Sequence, residues 1–212
     1  TSDPAIWAVG DAIQVIDAVT GVPGVVPLAG PANRQGRTAA DSIVGRGRTS
    51  KPVLGTAVVK VFGLTAAVTG PTSRRLTAAG VEHRVVHLHP GNHAGYYPGA
   101  KQIHLMLLFT PDGRVLGAQA VGKAGVDKRI DVIATALRAG MTVDDLAELE
   151  LAYSPPFGSA KDPVNMAGFM AQNILDGTLT AWGPDELDGF GDDVLLLDVR
   201  SAVEVEGGHL PG

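Results

Sequence analysis

Two apolar runs, residues 102–110 and 115–121, stand on either side of the tripeptide Pro111-Asp112-Gly113. Proline and glycine at such a point are a turn signal, because proline fixes φ and glycine adopts the positive φ that tight turns need. Both runs are much shorter than the roughly 20 apolar residues of a membrane-spanning helix. The segment therefore predicts a β-hairpin.

Further strands and helices are predicted on both sides of this hairpin. Before it, Val-rich runs predict strands at residues 56–62, 64–68 and 81–88. Helical spacing and capping residues predict helices at residues 71–80, 127–139, 142–149 and 163–175. Gly140 is placed to end one helix in the left-handed conformation, and Asp162 to cap the start of another. This succession predicts an α+β domain over residues 54–176.

Shorter segments at the two ends have a different character. Ile6–Val9 reads as a strand that ends at Gly10-Asp11, with a helix at residues 31–44, and Val194–Val199 is a continuous apolar run expected of a buried parallel strand. We therefore expect the end of an α/β domain in residues 1–50 and the beginning of another in residues 180–212. Both ends look cut, so we expect a fragment of a longer protein.

Composition narrows the class of protein. Hydrophobic residues make up 45% of the 212 residues, which is enough for a buried core, and the formal net charge is −5. A general nucleic-acid or membrane surface is not expected from that charge. The chain has no cysteine, which excludes a disulfide framework and a thiolate metal site. We expect a cytoplasmic protein that binds neither nucleic acid nor membrane.

The first candidate site combines a carboxylate with a helix start. Asp11 follows a predicted strand, at the edge where open α/β sheets bind ligands, and Gly10 allows close approach of a ligand to the backbone. The helix after Pro27-Leu28-Ala29 offers unpaired N–H groups, which suit an electron-rich ring oxygen or negative charge on a reduced flavin. The alternative is an ordinary strand end with a turn aspartate.

The second candidate site is a group of tyrosines. The chain has three, of which Tyr96 and Tyr97 are adjacent in a predicted loop and Tyr153 lies just outside a helix, before Pro155-Pro156. A phenol can donate a proton as well as pack, so these residues could serve in catalysis. The alternative is aromatic packing with a hydrogen-bonded hydroxyl.

Histidines form a third group, since five of the six lie between residues 83 and 104. His83, His87 and His89 would share one face of a strand, which leaves a zinc site open as an alternative. No acidic or cysteine ligand stands near by, so solvated or loop-packing histidines are favoured and no metal is predicted.

The motif around Asp11 resembles a known one. Ala-Val-Gly-Asp-Ala at 8–12, Pro-Leu-Ala at 27–29 and Asn-Arg-Gln-Gly-Arg at 33–37 are similar to the second FAD motif of the pyridine nucleotide-disulfide oxidoreductases. The resemblance implies that Asp11, Leu28 and Ala29 contact FAD. It also implies that Asn33 contacts a coenzyme A moiety.

A second resemblance covers the α+β domain. Segments similar to the dimerisation domain of the coenzyme A-disulfide reductases are residues 120–123, 127–131, 152–156 and 161–163. The resemblance implies a homodimer in which this domain reaches the partner subunit's flavin. It implies that Tyr96 and Tyr153 are active-site tyrosines, that Tyr153 also contacts FAD, and that Lys161 contacts coenzyme A.

A third resemblance lies at the C-terminal end. Leu195–Arg200, Glu204 and the run from Gly208 to Gly212 are similar to the opening of a rhodanese domain. Asp198 and Arg200 are predicted as a buried ion pair. The resemblances together imply the end of an FAD-binding α/β domain (1–50), an α+β dimerisation domain (54–176) and a truncated rhodanese-like α/β domain (180–212).

The implied activity is reduction of coenzyme A disulfide, persulfide or polysulfide by NAD(P)H through FAD. The alternatives are an NADH oxidase or peroxidase of the same architecture and a dimerisation module without catalysis. The chain itself has neither a cysteine nor a Gly-x-Gly-x-x-Gly loop. We therefore expect these 212 residues alone to be inactive.

Overall fold

The computed structural model describes residues 1–191 and 194–210 and divides into two compact units, Thr1–Leu179 and Thr180–Gly212. The strands are β1 (Val15–Ile16), β2 (Pro23–Gly24), β3 (Ala57–Val61), β4 (Leu64–Thr69), β5 (Arg84–Leu88), β6 (Ile103–Phe109) and β7 (Val115–Gly122). The α-helices are α1 (Ala29–Ile43), α2 (Ser73–Ala78), α3 (Val126–Ala139), α4 (Val143–Glu148), α5 (Pro163–Leu175) and α6 (Ala202–Glu206). Short 3-10 helices lie at Gly10–Ala12 and Pro184–Gly189.

Five strands form one antiparallel sheet in the order β3-β4-β7-β6-β5. The hairpin predicted around Pro111-Asp112-Gly113 is its central pair, with Leu107 opposite Ala118. At the turn, Gly113 has a φ of 88° and donates its N–H to Thr110 O at 2.9 Å. One end of the sheet therefore brings together the end of β5, the start of β6, the end of β7 and the start of α3.

The main core lies between one face of this sheet and the helices α3, α4 and α5. Alternation along β6 points Leu105, Leu107 and Phe109 to this face, where they pack with Ile130 and Ile133 of α3. Burying each such side chain contributes about 1.5–3 kcal/mol to folding. A smaller cluster on the opposite face joins β6 and β7 to α2 through Leu108, Leu116 and Leu76.

The N-terminal segment is attached to this domain by polar contacts. Asp17, which is buried, accepts a hydrogen bond from Arg75 of α2 at 3.0 Å, and it forms an isolated parallel bridge with Val53. Helix α1 packs on the 3-10 turn at Gly10–Ala12, where the Gly10 N–H donates to Gln35 Oε1 at 2.8 Å. These contacts place residues 1–50 in the same compact unit as the sheet.

Two predicted strands are wrong. Residues 6–9 and 194–199 belong to no strand among the described residues, although both are apolar. A strand exists only where a neighbouring strand accepts and donates its backbone hydrogen bonds, and no described segment pairs with either run. The predicted strand at 81–88 is shortened to β5 because Val81 N–H instead bonds Leu76 O and closes α2.

The predicted Asp198–Arg200 ion pair is present, but it is not buried. The two side chains meet at 2.7 Å with 38% and 44% of their surfaces exposed, respectively. Side-chain and backbone hydrogen bonds from Arg200 lower the pKa of Asp198 to about 2. Pro211 and Gly212, which complete the predicted rhodanese-like opening, lie outside the described residues. Across the part of the chain that the structure describes, no helix is long and apolar enough to span a membrane.

Candidate active site

Tyr96 and Tyr153 meet at the end of the sheet where α3 begins. Their hydroxyl oxygens are 2.9 Å apart, a hydrogen-bonding distance, although 57 residues separate them in sequence. Tyr96 is 77% exposed and Tyr153 is 47% exposed. Tyr97, the neighbour in sequence, instead packs edge-on against His93 with ring centroids 5.7 Å apart. The structure thus distinguishes the two adjacent tyrosines and pairs only Tyr96 with Tyr153.

The hydrogen bond between the two phenols changes the acidity of one of them. This hydrogen bond to Tyr96 favours the protonated form of Tyr153 and raises the pKa of Tyr153 above its usual value. Desolvation and the negative charge of ionised Tyr96 raise the pKa of Tyr153 further. Tyr153 therefore stays protonated at neutral pH. A pair in which Tyr153 donates to Tyr96 leaves the Tyr96 proton available to a third group.

Each tyrosine lies on a loop with a fixed base. The Tyr96 loop (residues 92–101) is closed by two hydrogen bonds, from Asn92 N–H to Lys101 O at 2.8 Å and from Lys101 N–H to Asn92 Oδ1 at 2.7 Å. It is joined to the Tyr153 loop (residues 149–162) by the bond from Ala94 N–H to Gly158 O at 2.8 Å. The two hydroxyls are therefore held by connected backbones.

A buried polar cluster lies beneath these loops. Arg129 of α3 is 1% exposed and donates to Asp162 from Nε at 3.2 Å and from Nη2 at 2.7 Å. Asn165 of α5 donates from Nδ2 to Leu149 O at 2.9 Å, and its Oδ1 accepts from Asp162 N–H. The start of the Tyr153 loop is thus held by Asn165 and its end by Arg129.

This cluster was not predicted from the sequence, where Arg129 stood out only as part of a motif and Asp162 only as a helix cap. The available signal was the position of Arg129 on α3, four residues before Ile133 and next to Ile130, both of which face the core. A charged residue on an apolar helix face indicates a buried partner.

Lys161 lies at the end of the Tyr153 loop and is exposed. Its ammonium group takes part in no ion pair among the described residues. An unpaired lysine at this place can contact a phosphate as a point charge. That chemistry agrees with the coenzyme A contact expected for Lys161.

The predicted flavin-contacting residues lie on a separate part of the first unit. Asp11 is exposed on its 3-10 turn, and no side-chain hydrogen bond to it is recorded within the described ranges. Leu28 is the extended residue that precedes α1, and no side chain caps this helix. The N–H groups of Ala29 and Gly30 are consequently open. A free carboxylate beside an uncapped helix start fits the hydroxyls and ring oxygens of a flavin.

Asn33 lies exposed on α1, one helical turn after Ala29. Within the described residues, no hydrogen bond or ion pair links Asp11, Leu28, Ala29 or Asn33 to Tyr96, Tyr153 or Lys161. One chain therefore presents two separate groups of predicted site residues, one with a carboxylate and a helix start and one with a phenol pair.

Of the three histidines predicted to share one strand face, His87 and His89 lie together beside His104, whereas His83 precedes β5 and bonds Ser73 at 2.6 Å. The Nδ1 atoms of His89 and His104 are 2.9 Å apart. Burial, followed by the charges of His104 and His87, lowers the pKa of His89. Among the residues described, no three His, Cys, Asp or Glu side chains are grouped so that they could hold a metal ion.

Comparison with known proteins gives one family match and several relatives. The model of the pyridine nucleotide-disulphide oxidoreductase dimerisation domain matches residues 56–163. Coenzyme A disulfide reductase of Staphylococcus haemolyticus is 42% identical over 176 residues, which are 82% of this chain and 40% of that protein. The chain thus spans about 40% of the length of the curated relatives it matches.

Three solved structures share the fold. Reduced CoADR-RHD of Bacillus anthracis is 48% identical, with a TM-score of 0.93 over 100% of this chain and 38% of that one. The NAD-dependent persulfide reductase of A. fulgidus is 41% identical, with a TM-score of 0.90 over 96% and 37% of the two chains. The water-forming NADH oxidase of Lactobacillus brevis, at 24% identity and a TM-score of 0.79 over 84% and 40%, shows the fold alone.

Proposed function

Because the chain belongs to the pyridine nucleotide-disulphide oxidoreductases through the dimerisation domain at residues 56–163, we propose that the intact protein is an FAD-dependent enzyme that uses NAD(P)H to reduce a coenzyme A disulfide or persulfide. The observation that carries this proposal is the exposed, hydrogen-bonded pair of Tyr96 and Tyr153. The names of the relatives from S. haemolyticus and A. fulgidus support the substrate class.

The tyrosine pair supplies a proton where a disulfide is cleaved. A cysteine thiolate, from a part of the intact protein outside these residues, attacks one sulfur of the substrate and forms a mixed disulfide with that coenzyme A. The S–S bond of the substrate breaks, and the other coenzyme A leaves as a thiolate. Tyr96 donates its proton to that thiolate, and Tyr153 donates a hydrogen bond to Tyr96 and orients it. Because Tyr96 is exposed, solvent restores the proton.

The other predicted site residues hold the cofactor and the substrate. Asp11 accepts hydrogen bonds from the ribityl hydroxyls, and Leu28 and Ala29 present the open start of α1 to the flavin ring. The chemistry that FAD supplies when bound is transfer of an electron pair from NAD(P)H to a disulfide. Lys161 and Asn33 contact the coenzyme A part of the substrate.

We propose that the two groups of site residues are half-sites that a homodimer completes, because no hydrogen bond or ion pair joins them among the described residues of one chain. The matched model is that of a dimerisation domain, and the phenol pair is exposed to a partner subunit. We propose that Tyr96 and Tyr153 of one subunit complete the flavin site that Asp11, Leu28 and Ala29 begin in the other, with Tyr153 contacting FAD. Residues 1–50 are then the end of the FAD-binding domain, and residues 54–176 form the dimerisation domain.

Residues 180–212 are proposed to begin a rhodanese-like domain. Arg200 is held by Asp198 and also donates to Gly208 O at 2.9 Å, which brings together the two ends of the motif. The likeness to CoADR-RHD of B. anthracis extends over the whole chain, whereas the S. haemolyticus relative matches 82% of it. A domain of this kind would place sulfane-sulfur chemistry on the same polypeptide.

The test compares tyrosine variants of the intact protein. Tyr96→Phe and Tyr153→Phe are expected to lower kcat for coenzyme A disulfide by about 100-fold, the usual size of a general-acid contribution. Flavin absorbance should remain unchanged. Tyr97→Phe, which removes a neighbouring phenol outside the pair, is the matched control and should stay within about twofold of the parent. Full activity in the Tyr96→Phe/Tyr153→Phe double variant would refute the proposal.

An NADH oxidase or peroxidase is the competing function, and substrate competition separates the two. If the intact protein turns over peroxide or oxygen in preference to coenzyme A disulfide, the competing function is correct. The 212 residues alone, without a cysteine, are expected to oxidise NADH only at background rates.

A further inference from the structure

Arg129 contacts both loops that carry the tyrosine pair. From α3, its Nη2 donates to Asn92 O at 2.8 Å and to Asp162 Oδ2 at 2.7 Å, and its Nη1 donates to Gly125 O at 3.2 Å. Asn92 is the closing residue of the Tyr96 loop, and Asp162 ends the Tyr153 loop. A single buried guanidinium therefore spans the bases of both loops.

The backbone around this guanidinium is shaped to admit it. Gly125 has a φ of 73°, and a Cβ added to it would lie 2.5 Å from Arg129 Nη1 and 3.2 Å from Asn92 Cβ. No residue with a side chain fits there while the guanidinium stays in place. Because Gly125 has no side chain, the Arg129 guanidinium has room to reach Asn92 at the base of the Tyr96 loop.

The geometry requires arginine rather than any cation. A guanidinium presents several N–H donors in a rigid plane, so it can bind the Asp162 carboxylate and two backbone carbonyls at the same time. A lysine in the same position keeps the charge beside Asp162, but its ammonium nitrogen lies one bond short of the Nη2 position from which Arg129 reaches Asn92 O. The contact with Asn92 is therefore the one that a lysine would lose.

We propose that Arg129 is a positioning residue that sets the distance between the Tyr96 and Tyr153 hydroxyls. It holds Asn92, and with it the closed base of the Tyr96 loop. It also holds Asp162, which fixes the end of the Tyr153 loop at the start of α5. The catalytic consequence rests on the function proposed above, whereas the positioning itself is a property of the fold.

The experiment measures the tyrosines directly. The chain has only three, so labelling with ¹³Cζ-tyrosine resolves each one by NMR during a pH titration. In Arg129→Lys, Tyr153 should titrate at lower pH than in the parent, because its hydrogen bond to Tyr96 is weakened. Arg138→Lys, at an exposed position of the same helix, is the matched control and should leave the titration unchanged. A purely structural arginine would lower the melting temperature without moving this titration.

Asp162→Asn provides a second variant, since asparagine also caps helices well. It removes the charge that Arg129 binds in the Tyr153 loop, and the titration of Tyr153 should again move to lower pH. If Arg129→Lys does not fold, the Tyr153 titration in Asp162→Asn tests the proposal instead. An unaltered Tyr153 titration in folded Arg129→Lys, or in Asp162→Asn where the lysine variant is unfolded, overturns the proposal.

Activity of the intact protein separates this proposal from the proposed function. Arg129→Lys should lower kcat about tenfold with KM within about twofold, because misplacement of a catalytic group affects the transition state more than binding. A shifted titration with full activity in both Arg129→Lys and Tyr153→Phe would leave the positioning role intact and refute the function. An unshifted titration together with an inactive Tyr153→Phe would refute the positioning role of Arg129 and leave the proposed function intact.

Discussion

His89 and His104 lie opposite each other at one end of strands β5 and β6, with their ring centroids 4.9 Å apart and their ring planes inclined at 63°. A short Nδ1–Nδ1 distance is stable when one ring donates and the other accepts. Adding a second proton to the pair places two positive charges in contact. The pair is therefore favoured while at least one of the two rings is neutral, and it is disfavoured when both rings are protonated.

The folded protein is expected to lose stability as the pH falls below the ordinary histidine value of 6.5. The folded-state pKa of His89 is lowered, so the unfolded chain binds more protons in this range and the free energy of unfolding decreases with falling pH. His89→Gln should flatten this dependence. Urea unfolding of the 212-residue chain between about pH 5 and pH 7 measures it. His209→Gln, outside the pair, is the control, and an equal slope in parent and His89→Gln would contradict the prediction.

Residue types and spacing located part of the site from sequence. Tyr96, Tyr97 and Tyr153 were identified because the chain has only three tyrosines and two of them are adjacent, and the family resemblance then singled out Tyr96 and Tyr153. That Tyr96 rather than Tyr97 meets Tyr153 depends on how the Tyr96 loop closes, which is a long-range contact. The Arg129–Asp162 pair joins residues 33 apart in sequence, and the sequence offered only the odd position of an arginine on an apolar face.

At the scale of the elements, α4 and α5 pack unusually closely at Gly168. A Cβ on Gly168 would lie 2.5 Å from Ala147 N and 2.8 Å from Val143 O, which are backbone atoms that cannot move aside separately. The carbonyl oxygens of this same end of α4 accept hydrogen bonds from Asn165. The spacing of these two helices therefore depends on a hydrogen atom in place of a methyl group.

Gly168→Ala is expected to lower the free energy of unfolding by about 1–3 kcal/mol, because overpacking forces the helices apart. Gly36→Ala provides the matched control, since nothing lies within 4 Å of the added Cβ on α1. That change should stabilise the chain by about 0.5–1 kcal/mol, the usual preference for alanine over glycine in a helix. Chemical denaturation of both variants measures the difference, and a neutral Gly168→Ala would show that the helices can separate freely.

Elements whose ends are set by local chemistry were predicted well. The left-handed Gly140 after α3 and the Asp162 cap of α5 both occur as expected, because each depends on residues within one turn. The strands expected at residues 6–9 and 194–199 depended on distant partners. Hydrophobicity indicates that such a run can be buried, but it does not supply the neighbouring strand.

At the scale of the whole molecule, the two half-sites lead to a prediction about assembly. We expect the 212-residue chain to sediment as a dimer at concentrations of about 10–100 μM, because obligate interfaces of this class are large and apolar. Analytical ultracentrifugation over that range measures the mass. The isolated dimer should carry no flavin absorbance. A monomer throughout the range would contradict a dimerisation domain that assembles without the remaining domains.

The order of domains was accessible from sequence only through motifs. Apolar periodicity predicted the α+β domain, since its sheet and helices are all within residues 54–176 and satisfy one another's hydrogen bonds. Residues 1–50 and 180–212 were assigned by resemblance. Their own apolar runs predicted strands at residues 6–9 and 194–199, which the described residues do not form.

The two hydrogen bonds between Asn92 and Lys101 close the Tyr96 loop at its base. Because the chain leaves and returns at the same point, changes of length or sequence among residues 93–100 need not alter the register of β5 with β6. Such a segment can diversify among descendants, or be exchanged by an engineer, while the pairing of β5 with β6 is kept. A preference for a different electron-accepting substrate could then be introduced by replacing residues 93–100 alone, with Asn92 and Lys101 kept at the two ends of the loop.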